Sequence, residues 1–221
     1  TDAPVSIGAM VGPDAFTEVR YLAHHKQQEA LDIIEQQAQE FGQIFKRDSG
    51  GLVKTYFAED AEIILVAMGS VIGTMQDLVQ DLREQGHSVG ILSLRSFRPF
   101  PAAAICKALS GVKRLIVFEK SFAVGMGGIL ASEIHMAIQH IQDITIHSVI
   151  GGLGGRTITK KSLSNIIEQA EKGELDSEVF MDLDNETVAR ELARQQEETS
   201  SGSIAENILR DRGVVSASKT H

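Results

Sequence analysis

Cysteine is the scarcest chemistry in this 221-residue chain: Cys106 stands alone, and tryptophan is absent. One thiol excludes an internal disulfide. It also leaves no set of thiolates for an iron–sulfur cluster, which takes about four. In its helical context Cys106 reads as a small buried hydrophobe. Positive charge is in deficit too, with 21 basic against 30 acidic residues and a formal charge of −9. That balance argues against a nucleic-acid surface and against binding to anionic membranes. No apolar run approaches the ~20 residues of a membrane span, and the first residues lack the basic-then-apolar order of a signal peptide. A cytoplasmic protein is expected. Internal repeats are absent. The chain opens at Thr1 on the loop-like PVSIGAMVGPDAF, the pattern expected of a piece of something longer, a processed chain or a split subunit.

What is present is organised around residues 61–101, AEIILVAMGSVIGTMQDLVQDLREQGHSVGILSLRSFRPFP. Ile63 to Met68 form an unbroken apolar run, the sign of a strand covered on both faces. The period then changes to 3.6, with Met75, Leu78, Val79 and Leu82 on one stripe of an amphipathic helix. Thr74 is the expected N-cap and Gly86 the left-handed stop. Val89, Ile91, Leu92 and Leu94 make a second strand, which reaches the first through a right-handed crossover. A parallel α/β sheet follows.

The flanks fill in that picture. Residues 14–45 are helical, with Leu31, Ile34, Ala38 and Phe41 on one stripe and His24 and His25 within the helix. Adjacent histidines point about 100° apart, so they do not share a metal as an i, i+4 pair does; interface or surface polarity is their reading. Residues 52–57 suggest a short approach strand. Pro99 and Pro101 make the turn FRPFP rigid, and Arg98 is its one charge, read as a tie for the turn or a substrate contact. A helix over 102–109, a third buried strand at Leu115 to Phe118, and the glycines Gly125, Gly127 and Gly128 before another helix come next. Those glycines suggest either an anion loop or close packing. A fourth strand over 144–150 runs into GGLGGR, where Gly154 and Gly155 imply unusual backbone angles or the close approach of another surface. Thr159 caps a last helix that Gly173 stops. Beyond Leu175 the composition turns acidic, with a polar helix around 185–198, a Ser-Ser-Gly-Ser break at 200–203 and an amphipathic piece near 204–209.

The order AEDAEIILVAMGS, LREQGHSVGILSLRSFRPFP, VKRLIVFEKSFAVGMGG and IGGLGGRTIT resembles the transketolase C-terminal-like domain of 2-oxoacid:ferredoxin oxidoreductase alpha subunits, the pyruvate-specific ones most of all. PVSIGAMVGPDAFTEVRYLAHHKQQEAL is similar to the connector that joins that domain to the thiamine diphosphate-binding half. The resemblance implies a three-layer, doubly wound, mainly parallel sheet over residues 58–175, a helical connector over 1–57 and an acidic helical extension over 176–221. It implies an enzyme that oxidises pyruvate with coenzyme A to acetyl-CoA and carbon dioxide and passes the electrons to ferredoxin. Its partners would be the N-terminal half of alpha and the beta, gamma and delta subunits. Thiamine diphosphate, magnesium and 4Fe-4S clusters would belong to that assembly, and none to this chain alone, since no GDG-type diphosphate motif and no cysteine cluster is here. No catalytic, cofactor-binding or metal residue carries over. His24, His25, Arg98, Gly154 and Gly155 remain as interface or turn residues. The alternatives are the same role in a 2-oxoglutarate or branched-chain 2-oxoacid enzyme, a stand-alone anion-binding regulatory module, or the equivalent domain of a transketolase or dehydrogenase beta subunit.

Overall fold

A computed structural model of the chain describes residues 2, 8, 10–141, 143–197 and 204–214, and divides it into two compact units, Thr1–Met181 and Asp182–His221. In the first unit a long helix, α1 (Pro13–Phe45), precedes β1 (Val53–Tyr56), β2 (Ile63–Ala67), α2 (Val71–Glu84) and β3 (Val89–Leu94). Then come α3 (Ala102–Ala108), β4 (Arg114–Glu119), a small hairpin of β5 (Phe122–Ala123) and β6 (Gly127–Gly128), and α4 (Ile129–Ile138). The unit closes with β7 (Thr145–Ile150), α5 (Lys160–Lys172) and β8 (Glu178–Phe180). The second unit holds α6 (Asn185–Glu197) and α7 (Ile204–Asp211).

Six strands form one sheet in the order β1-β3-β2-β4-β7-β8, all parallel except β1, which pairs antiparallel with β3. Every residue of β2 and β3 is buried, as a strand covered on both faces requires. Period-two alternation divides their side chains between two cores. Ile63, Leu65 and Ala67 pack with Met75, Val79 and Leu82 of α2 and with Leu163, Ile167 and Ala170 of α5. Ile64 and Val66 pack with Ile105 of α3 and with Leu130, Ile134 and Ile138 of α4. The expected three-layer, doubly wound architecture is therefore present.

The distribution of helices also sets the hand of the crossovers. β2-α2-β3 steps toward one edge over the α2 face, whereas β3-α3-β4 and β4-α4-β7 step toward the other edge over the opposite face, so these three share one hand. β7-α5-β8 advances in the same direction as β4-α4-β7 but over the face of α2, which reverses its hand. α5 is held there by its apolar stripe, which completes the core beside α2.

Several local expectations change. Thr74 lies inside α2 rather than at its cap, because Gly69, with φ of 77°, turns the chain directly into a helix that begins at Val71. The sheet runs past residue 175 to β8, and Leu175, Val179 and Met181 join the core on the α2 face. The acidic composition hid that short strand. Thr159 is the N-cap expected, its Oγ1 accepting the Ser162 N–H at 3.0 Å, and Gly173 ends α5 with φ of 73°. The break at 200–203 lies outside the described residues.

α1 spans the expected residues, and its surroundings divide it. Ala30, Leu31, Ile34, Ala38 and Gly42 are half-buried, while all of residues 13–29 are exposed, among them Phe16, Val19, Tyr21 and Leu22. Phe41, expected on the buried stripe, is 37% exposed. The start of the domain is clamped by Arg83, whose Nε donates to the Val89 carbonyl at 2.6 Å and whose Nη2 donates to the Phe57 carbonyl at 2.5 Å. A Cβ on Gly90 would stand 2.5 Å from that same Phe57 oxygen, so the strand needs glycine there.

Candidate functional site

β2 and β4 are neighbours, yet the chain leaves them toward opposite faces, and such a switch point opens a crevice at the carboxyl ends of the strands. The cleft found there has a volume of about 480 Å³, within the range of small-molecule sites. Met68 and the Gly69-Ser70-Val71 turn come from the end of β2, Phe118 to Ser121 from the end of β4, and Ile129 and Leu130 from the start of α4, with Phe97 closing one side. Its lining is mainly apolar.

Glu119 is the buried charge of the site. Its Oε2 accepts the Leu130 N–H at 2.8 Å and its Oε1 accepts the Ala131 N–H at 2.9 Å, satisfying two of the donors that open α4. A Cβ on Gly128 would press on Glu119 Oε1 and lie 2.5 Å from Ser148 Oγ. The glycines of 125–128 thus shape a hairpin that lets β4 and β7 side chains approach the start of α4. An anion at that loop, one of the two readings of the sequence, is displaced by the chain's own carboxylate. Lys120, beside it, is exposed and makes no ion pair or hydrogen bond among the described residues.

Arg98 sits behind the cleft rather than in its lining. Its guanidinium donates to the Phe97 carbonyl at 2.8 Å, pairs with Glu133 of α4 and lies 4.3 Å from the centre of the Phe97 ring. Ser96 Oγ donates to the Pro99 carbonyl at 2.8 Å, and Phe97 meets Phe100 edge to face at 6.2 Å. Gly154 and Gly155 adopt left-handed backbone, φ 62° and 83°, with no atom within 4 Å of a Cβ position. The close approaches in that run belong to Gly151, against the Phe118 ring at 2.8 Å, and to Gly152, against Ile158 and Lys120 at 2.9 Å. His24 and His25 lie on the exposed part of α1, where His25 Nε2 is 3.2 Å from Glu29 Oε1 and its ring stacks on Tyr21. Among the described residues no three His, Cys, Asp or Glu side chains converge as metal ligands, and no helix is long and apolar enough to cross a membrane. The sequence reading missed Glu119 as a helix cap and the Ser70 side of the cleft; the placement of FEK at a strand's carboxyl end was the available signal.

A doubly wound parallel α/β domain with an apolar cleft at its switch point is the class that fold and site define. Residues 61–163 match the family described as "Pyruvate:ferredoxin oxidoreductase core domain II". It is 37% identical over 189 residues to pyruvate synthase subunit PorA of Methanosarcina barkeri, an overlap of 83% of this chain and 47% of the relative. It is 39% identical over 173 residues to PorA of Methanothermobacter thermautotrophicus, covering 78% and 44%. Ketoisovalerate oxidoreductase subunit VorA of Pyrococcus horikoshii is 34% identical over 182 residues, covering 80% and 46%. The chain spans about half the length of these curated relatives.

Proposed function

We propose that this chain is the C-terminal part of the alpha subunit of a thiamine diphosphate-dependent pyruvate:ferredoxin oxidoreductase, in the cytoplasm, where it supplies scaffold and subunit interface. One observation carries the reading: residues 13–29 form a helix that is exposed among the described residues, Phe16, Val19 and Leu22 included, as a surface made for another polypeptide would be. Its partners are then the thiamine diphosphate-binding half of alpha and the beta, gamma and delta subunits, with ferredoxin reached through the assembly. Residues 1–57 serve as connector and 58–175 as the core domain, to whose sheet the extension 176–221 adds the edge strand β8. Arg98, bound to Phe97 and Glu133, acts as a tie for the turn, His24 and His25 as interface polarity, and Gly154 and Gly155 as turn residues. Among the described residues no three His, Cys, Asp or Glu side chains converge as metal ligands, and the reading assigns thiamine diphosphate, magnesium and the clusters to the partners. The VorA relative supports a second reading, the same role with a branched-chain 2-oxoacid.

The test is reconstitution. Co-expressed with its partner subunits, the chain is expected to give coenzyme A-dependent dye reduction with pyruvate, and none when any part is omitted. Turnover of 3-methyl-2-oxobutanoate in place of pyruvate selects the second reading. The double variant Phe16→Ser/Val19→Ser is expected to keep the isolated chain's melting temperature and to lose co-purification. Tight binding of magnesium thiamine diphosphate by the chain alone would overturn the assignment.

A further inference from the structure

The switch-point cleft has apolar walls and, at the ends of the neighbouring strands β2 and β4, polar donors. Val71, Phe97, Phe118, Ile129 and Leu130 supply the walls. After β2 the N–H groups of Ser70 and Val71, at the start of the 14-residue α2, donate to no acceptor among the described residues, and the Ser70 hydroxyl makes no capping bond. After β4 comes Lys120, an ammonium with no ion pair or hydrogen bond among the described residues. The remaining charge in the lining is Glu119, and both of its oxygens are taken up by the Leu130 and Ala131 N–H groups. A cation without a counter-charge above an apolar crevice selects a particular chemistry. The ligand has one negative head group and an apolar body, small enough for about 480 Å³.

We infer that this cleft is a binding site for a small monocarboxylate of about six carbons, its carboxylate included. Its carboxylate pairs with Lys120 and accepts from the Ser70 and Val71 N–H groups, while its chain lies against Phe97, Phe118 and Leu130. Neither histidine of α1 nor the glycine run 151–155 takes part in that pairing. The site does not depend on the oxidoreductase reading, because binding is measured on the full chain without partners or substrate turnover.

Hexanoate and its uncharged analogue hexanamide, titrated into the ¹⁵N-labelled chain, separate charge from apolar contact. Hexanoate is expected to shift the amides of Gly69, Ser70, Val71, Lys120 and Ser121 saturably, with hexanamide weaker by up to about fivefold, the upper end for one exposed ion pair. Lys120→Ala is expected to lower hexanoate to the hexanamide level, and added salt to act in the same direction. Met68→Trp, which fills the mouth of the cleft, is expected to remove both. Equal affinity for the two probes, full affinity in Lys120→Ala, unaltered binding in Met68→Trp, or no saturable shift at these amides would each overturn the inference.

Discussion

Glu119 shows what a single residue does in this domain. Its carboxylate sits at the carboxyl end of a central strand, 8% exposed, and is stabilised there because two helix N–H groups replace the water it lost. Truncating it strands both donors in a buried place. Glu119→Ala is expected to cost roughly 2–4 kcal/mol, and Glu119→Gln about half as much because one acceptor remains. Urea midpoints measured at unchanged slope check this; a silent alanine variant would mean that α4 starts without the cap. Glu119 was legible as a charge at a strand end, but its partners were not, because they lie 11 and 12 residues away across a hairpin. Gly90 was invisible for a similar reason. Nothing in VGILSL announces that the Phe57 carbonyl comes within 2.5 Å of a Cβ at its second position.

Among the elements, the second unit depends on charge more than on burial. The Thr187 N–H donates to Asp184 at 2.9 Å and Arg212 pairs with Asp184 at 2.6 Å, while Asp211 meets Arg190 at 3.1 Å and Arg194 at 3.0 Å. The Thr187 backbone bond, then its hydroxyl, with Arg212 adding less, holds the Asp184 carboxyl below the ordinary aspartate value of 3.8. Arg194 does the same for Asp211, with Arg190 and Arg210 assisting. Carboxyls depressed in the folded state contribute stability that is present above 3.8 and lost as the pH falls through their lowered values. The contacts of α6 with α7 are therefore expected to weaken below about pH 4 and in high salt. Loss of hydrogen-exchange protection at Thr187, with β2 and β4 still protected, checks it. Protection that survives both treatments would show that apolar contacts hold the pair. α1 is the opposite kind of element, set by its periodicity alone over 33 residues and left uncovered along its first half.

At the scale of the whole molecule, burial ranks the parts. Ile64, Val66, Leu92, Leu115 and Val117 are fully buried between two helical layers, so their amides are expected to exchange only on global unfolding, and those of residues 13–29 first. Exchange of the central strands ahead of α1 would contradict that ranking. The sequence by itself determined the class of this sheet: unbroken apolar runs at 63–68 and 115–118, with Val89, Ile91, Leu92 and Leu94 between them, name strands covered twice, and the 3.6 period after the first names a crossover. It also determined α1 and the Thr159 and Gly173 ends of α5, because those signals are local, carried by residues within one turn of each other. Only the tertiary structure decided that β8 joins the sheet, that α5 crosses on the face of α2, and that Ser70, Lys120 and Phe97 share one cleft. Each of those facts depends on which surfaces meet across tens of residues, and hydrophobic burial, which chooses them, is non-directional and leaves no periodic mark in the chain.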